Sequence, residues 1–66
     1  MRLSTREEAI VKLIADGRSD KQIGADLQIS VNTVRTHLDR IFRRHSLHNR
    51  AEAAAVWVKS VHHKEH

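Results

Sequence analysis

A chain of 66 residues with no cysteine has no disulfide framework and no thiolate metal site, and it is too short for more than one small domain with a thin core. Lys and Arg number 12 against 8 Asp and Glu, a net charge of +4 with a pI near 10.4, which on so small a body favours a polyanionic partner. No apolar run approaches the ~18 residues of a membrane span, no signal peptide is recognisable, and Phe42 and Trp57 are too few aromatics for a stacking platform on single-stranded nucleic acid. Strand signals are missing as well, with no alternating β-branched run and no Asn-Gly hairpin, so a single all-α domain over residues 1–66 is expected, and a reducing compartment such as the cytoplasm is permitted.

Ser4 and Glu7 have the spacing of a capping box and predict a first helix over about 5–16. Ile10, Leu13 and Ile14 form its inward stripe, and Gly17 suits the left-handed residue that ends it. Ser19 with Gln22 is a second box, placing a second helix at 20–27 with Ile23 and Leu27 inward. Gly24 in its middle costs about 1 kcal/mol against alanine, which a short helix bears poorly; close passage of the third helix is the expected reason. Gln28 and Ile29 leave a tight turn before Ser30, the cap of a third helix over 31–45, and two short helices joined this way form a helix-turn-helix.

At about 100° per residue, Val34, Leu38, Ile41 and His45 share one side of the third helix, and Asn32, Arg35, Thr36, Asp39 and Arg43 share the other. Long donors, a hydroxyl and an amide in the first turns are the groups that read base edges in a major groove. Leu47 plugs the core, and Asn49 with Glu52 opens a fourth helix over about 50–61. Ala51, Ala54, Ala55 and Val58 are expected to face inward there, with Ala53, Trp57 and either Ser60 or Val61 on a second face; the tail 62–66 is expected to fray.

Several elements recur at fixed spacing: Leu3-Ser4 before Arg6-Glu7, Ile14-Ala15-Asp16-Gly17, Lys21-Gln22-Ile23, Leu27-Gln28-Ile29-Ser30, Thr33-Val34, His37, Ile41 and Arg50-Ala51-Glu52-Ala53. The ordered set resembles the LuxR-type (NarL/FixJ-like) helix-turn-helix domain of bacterial transcription regulators, over residues 3–58. The resemblance implies a four-helix domain that docks its third helix in the major groove of double-stranded DNA and forms a homodimer through its fourth helix on inverted half-sites. It implies base contacts from Arg35, Thr36 and Asp39, with Asn32 added by the stripe, and backbone contacts from Lys21, Thr33 and Arg50. It further implies RNA polymerase, or a regulatory domain ahead of this one, as partners; the chain reads equally as an excised fragment or as a small stand-alone regulator. Asp39 stands where a basic or small polar residue is usual in that family, His45 where a leucine is, and Ser46 where a glycine is.

Each residue has a plainer role as well. Arg35 is either a bidentate guanine reader, a phosphate contact or a surface arginine. Thr36 is either simply exposed or offers its methyl to thymine. Asp39 lies four residues from both Arg35 and Arg43; pairing with them, which would orient Arg35, is favoured over accepting from cytosine. Of the cations, Arg43 and Lys21 are expected on phosphates ahead of Arg44, with Arg40 as a further backbone contact, and Arg50 opens a helix where its charge opposes the dipole, which hints at an external anion. Trp57 beside small Ala53 suggests an interface hot spot, with Val61 completing the patch. His37 reads as a structural histidine. His45 near the core needs a partner or an exit to solvent, so its protonation is expected to loosen the end of the third helix. His62, His63 and His66 have no fixed acid or thiol beside them and are not read as a metal site. No catalytic triad order, phosphate loop or carboxylate pair is present, and a body of this size has little room for a pocket of ~300 Å³; neither enzyme nor cofactor is expected. The serious rival is a protein–protein interaction module that docks an acidic partner.

Overall fold

The computed structural model describes residues 2–64, with side chains described for residues 2–60. Four helices follow in order, α1 (Thr5–Ala15), α2 (Asp20–Leu27), α3 (Val31–Arg44) and α4 (Arg50–Lys64), with no strand among the described residues. Both serine capping boxes form. The Ser4 hydroxyl accepts from the Glu7 amide at 3.2 Å while the Glu7 carboxylate accepts from the Ser4 amide at 2.9 Å, and Ser19 with Gln22 repeats the pair at the same distances. At α4 only half of the expected box is made. Asn49 accepts from the Glu52 amide at 2.9 Å, but Glu52 turns to the backbone amide of His48 at 3.3 Å instead of that of Asn49.

The first three helices end alike. Arg18, Ile29 and Leu47 each donate a backbone amide to the carbonyl five residues earlier, on Leu13, Gly24 and Phe42, at 2.8–3.0 Å. Each bond reaches around a residue with positive φ: Gly17 (83°), Gln28 (58°) and Ser46 (54°). Only the first has the residue type such a position prefers. Ser46→Gly is therefore expected to raise stability by about 0.5–1 kcal/mol, the relief of a left-handed non-glycine residue less the extra freedom of glycine in the unfolded chain. An unchanged or lower midpoint in thermal denaturation would refute this.

The core is built from Ile10, Val11 and Ile14 of α1, Ile23 of α2, Val34, Leu38 and Ile41 of α3, Leu47 and Ala53. The expected stripe of α1 is off by one position: Val11 is fully buried, and Leu13 is half-buried at the edge. The faces of α4 are mostly the reverse of the expected ones, although Ala54 packs against the core as expected. Ala53 has 0% exposure and Trp57 packs half-buried against the core, whereas Ala51, Ala55 and Val58 (45%) face out. The alanine run gave no contrast in polarity, and the large indole, which has the most apolar area to bury, follows Ala53 by one helical turn onto the α1 side. Helix α4 also continues through His62 and His63 to Lys64, where a frayed tail was expected; nothing between Arg50 and Lys64 is a glycine or a proline. The rest of that tail lies outside the described residues.

Helix α1 packs chiefly on α4, and α2 chiefly on α3. A polar tie joins the two halves. The Glu7 side chain is 9% exposed, lies 3.3 Å from an Nη of Arg44, and lies 3.9 Å from Nε2 of His45. That nitrogen is buried without a hydrogen-bond partner. A carboxylate thus stands beside the buried ring of His45 at the end of α3, a neighbour that the spacing did not suggest.

Candidate nucleic-acid interface

The outward stripe of α3 follows from its inward one. Burying Val34, Leu38 and Ile41 turns Asn32, Arg35, Thr36, Asp39 and Arg43 to solvent, and Arg40 is exposed beside them. Ser30 fixes where the helix starts, its hydroxyl accepting from the Thr33 amide at 3.0 Å and sharing a 2.8 Å hydrogen bond with the Thr33 hydroxyl. The Thr36 hydroxyl donates to the carbonyl of Asn32 at 3.0 Å. That bond occupies the hydroxyl proton within the helix and leaves the methyl as the arm available to an outside group.

Turn geometry sets the aim of this helix. A Cβ built on Gly24 would lie 2.8 Å from the carbonyl oxygen of Ile29 and 3.7 Å from the amide nitrogen of Val31. The close neighbour is thus the turn itself together with the first residue of α3, a tighter approach than the expected crossing of helix on helix.

The ion pairs differ from those the spacing suggested. Asp39 pairs with Arg43 at 3.4 Å but not with Arg35. Arg35 instead places Nε 3.7 Å from Oδ2 of Asp20, at the start of α2, with its side chain 68% exposed. The other oxygen of Asp20 accepts from Arg50, which also donates to the carbonyl of Arg18 at 2.8 Å. Arg50 is therefore a half-buried strut between α4 and the start of α2, and its local anion is Asp20; the external anion inferred from its place at a helix start is not needed to explain it. Arg18 is itself held by a two-pronged pair with Asp26, both contacts 2.9 Å, which keeps its guanidinium above its ordinary pKa. Lys21 is exposed next to Asp20.

Of the sequence-predicted residues, the structure brings Asn32, Arg35, Thr36, Asp39, Arg43, Arg40, Thr33 and Lys21 onto exposed surface of α3 and the start of α2, and withdraws Arg50 into a scaffold. Ala53 is withdrawn too: with no exposed surface it cannot touch a second chain, and Trp57 is engaged with the core of its own chain. The side chain of Val61 lies outside the described residues, as do those of His62, His63 and His66. Asp20 was missed. Its only visible signal was an acid in the first turn of a helix, which the helix dipole explains without any partner.

Short helices joined by a tight turn, with the third presenting a polar, arginine-bearing face, define a helix-turn-helix domain. The family model described as "Bacterial regulatory proteins, luxR family" matches residues 1–57, and the chain belongs to that family of DNA-binding transcription regulators, which is not an enzyme class. Among curated relatives, YhjB of Escherichia coli (strain K12), which carries the name of an HTH-type transcriptional regulator, is 44% identical over 54 residues. The nitrate/nitrite response regulator protein NarL of the same strain is 43% identical over 56 residues, and the transcriptional regulatory protein LiaR of Bacillus subtilis (strain 168) is 40% identical over 52. These matches cover 82%, 85% and 79% of this chain, but 27%, 26% and 25% of the relatives, so the chain spans about a quarter of their length. No solved structure matches the chain significantly. No helix among the described residues is long and apolar enough to cross a membrane.

Proposed function

We propose that this domain binds double-stranded DNA sequence-specifically by laying α3 in the major groove, as the DNA-binding part of a transcription regulator in the cytoplasm. The supporting observation is the unobstructed stripe of Asn32, Arg35, Thr36 and Asp39 across the first turns of α3. Arg35 offers a fork to guanine O6 and N7, Thr36 offers a methyl to thymine, and Asn32 offers an amide to adenine. Asp39 steadies Arg43, which joins Lys21, Arg40 and Thr33 along the phosphates. The domain works as a homodimer on inverted half-sites; the outer face of α4, with Ala51, Ala55 and Val58, is small and apolar enough for a two-fold helix pair. The family resemblance extends the partners of the assembled regulator to RNA polymerase and to a regulatory domain.

A protein–protein module docking an acidic partner would use the same positive charge, so salt-dependent binding alone does not separate the two readings. In vitro selection of bound duplexes does. The unaltered domain is expected to enrich paired, inverted copies of a short sequence. Arg35→Ala is expected to lose about tenfold of the preference at one base position with little loss elsewhere. A uniform loss at every position would reduce Arg35 to a phosphate contact, unpaired copies would count against the dimer, and absence of any enriched sequence would remove the reading altogether.

A further inference from the structure

We propose that Asp20 is a positioning residue that sets how Arg35 is presented to DNA. This rests on the reading of Arg35 as a base-directed side chain. Asp20 lies on α2, outside the recognition helix, and its two carboxylate oxygens serve different arginines. Oδ1 is taken by Arg50, whose second Nη is anchored on the carbonyl of Arg18, so the carboxylate is locked from the α4 side. Oδ2 faces Nε of Arg35 at 3.7 Å.

The atom engaged matters. A guanidinium carries five donors, and an ion pair on its Nε side, at 3.7 Å and so longer than a hydrogen bond, leaves both terminal Nη groups free. Those groups form an edge that can take two acceptors of a guanine at once. A long arginine side chain loses much rotamer freedom when it is fixed, and a carboxylate already holding its near corner removes part of that loss before DNA arrives. The same carboxylate acts against the wrong contact. For Arg35 to swing to a phosphate it must leave Asp20, and a phosphate brought close to Asp20 meets a like charge. Asp20 thus favours the base-directed pose twice, by holding Arg35 and by repelling the anion that would divert it. Arg50, which the resemblance placed on the DNA backbone, acts here through Asp20.

The test is a cycle of Asp20→Asn and Arg35→Ala. Asn keeps an acceptor for Arg50 but drops the charge. Affinity is measured for a duplex recovered by selection with the unaltered domain and for a shuffled duplex of the same composition. Asp20→Asn is expected to reduce the ratio of the two affinities about two- to fivefold, the size of an exposed ion pair, partly by strengthening binding to the shuffled duplex. In the Arg35→Ala background it is expected to leave the ratio unchanged. An equal loss in both backgrounds, or no loss in the native one, overturns the proposal while leaving base reading by Arg35 intact. An Arg35→Ala domain with undiminished preference removes base reading instead, and with it anything for Asp20 to position. Should Asp20→Asn fail to fold, the mobility of the Arg35 side chain in the unaltered free domain decides: an NMR order parameter at its Nε higher than that of exposed Arg40 supports the pairing, and an equal one overturns it.

Discussion

Gly24→Ala is expected to destabilise the domain by about 2 kcal/mol, although alanine is the better helix former. In an exposed helix interior the exchange would add about 1 kcal/mol of stability. Here the new methyl carbon would lie 2.8 Å from the carbonyl oxygen of Ile29. That oxygen belongs to the backbone of a turn whose geometry is fixed by the bond from the Ile29 amide to the carbonyl of Gly24 at 2.9 Å and by the left-handed Gln28. No side chain can rotate away, so the turn must open, at the upper end of the ~1–3 kcal/mol that overpacking costs. For a chain of this size the net loss corresponds to a fall of about 10 °C in the midpoint of thermal denaturation. A rise would mean that the glycine is merely tolerated. Binding to DNA should suffer beyond the loss of folded protein, because the displaced turn re-aims α3 relative to α2, which carries Lys21 and Asp20.

How far the residues disclose such constraints depends on their range. The helix starts were legible because a capping box is local: Ser4 with Glu7 and Ser19 with Gln22 satisfy each other within four residues, wherever the helix later packs. The outward stripe of α3 was legible because its two sides differ sharply in polarity. The faces of α4 were not, since an alanine-rich run presents similar surface all round and only packing on α1 decides that Ala53 is covered and Ala55 is not. Ion pairs were the least legible. Periodicity nominates partners four residues apart on one helix and found Asp39 with Arg43, but the partners of Arg35 and Arg50 come from a different helix, reached only once the chain is folded. Stripe and scaffold are therefore not independent: Arg35, on the outward face of α3, has its acid on α2 in Asp20, which no pattern within α3 contains.

Glu7 carries the second large effect. Its carboxylate completes the cap of α1, faces Arg44 at the end of α3 and lies near the buried Nε2 of His45. Its carboxyl is held below its ordinary value of 4.5, first by the amide of Ser4 donating to it, against the opposing effect of burial, and then by the charge of Arg44 and the contributions of Ser4 and His45. Glu7→Ala removes the acceptor, opens a void and leaves Arg44 without its acid. A loss of about 3 kcal/mol is expected, at the low end for breaking a buried pair because Arg44 keeps much of its solvation. A domain of this size has total stability on the order of 3–10 kcal/mol, so the variant should be close to unfolding at 37 °C. Glu7→Gln, which keeps an oxygen for Ser4, should lose about half as much. The pH dependence then separates charge from shape. A carboxyl with a lowered folded pKa contributes stability that is complete above its unfolded value and vanishes as pH falls through the folded one. The stability gap between the unaltered domain and Glu7→Gln should therefore be full at pH 6–7, where the carboxylate is ionised in both states, and close progressively below about pH 4.5. A gap of constant size down to pH 3 would mean that the carboxylate acts by filling space, and that the link from α1 to the end of α3 is not electrostatic.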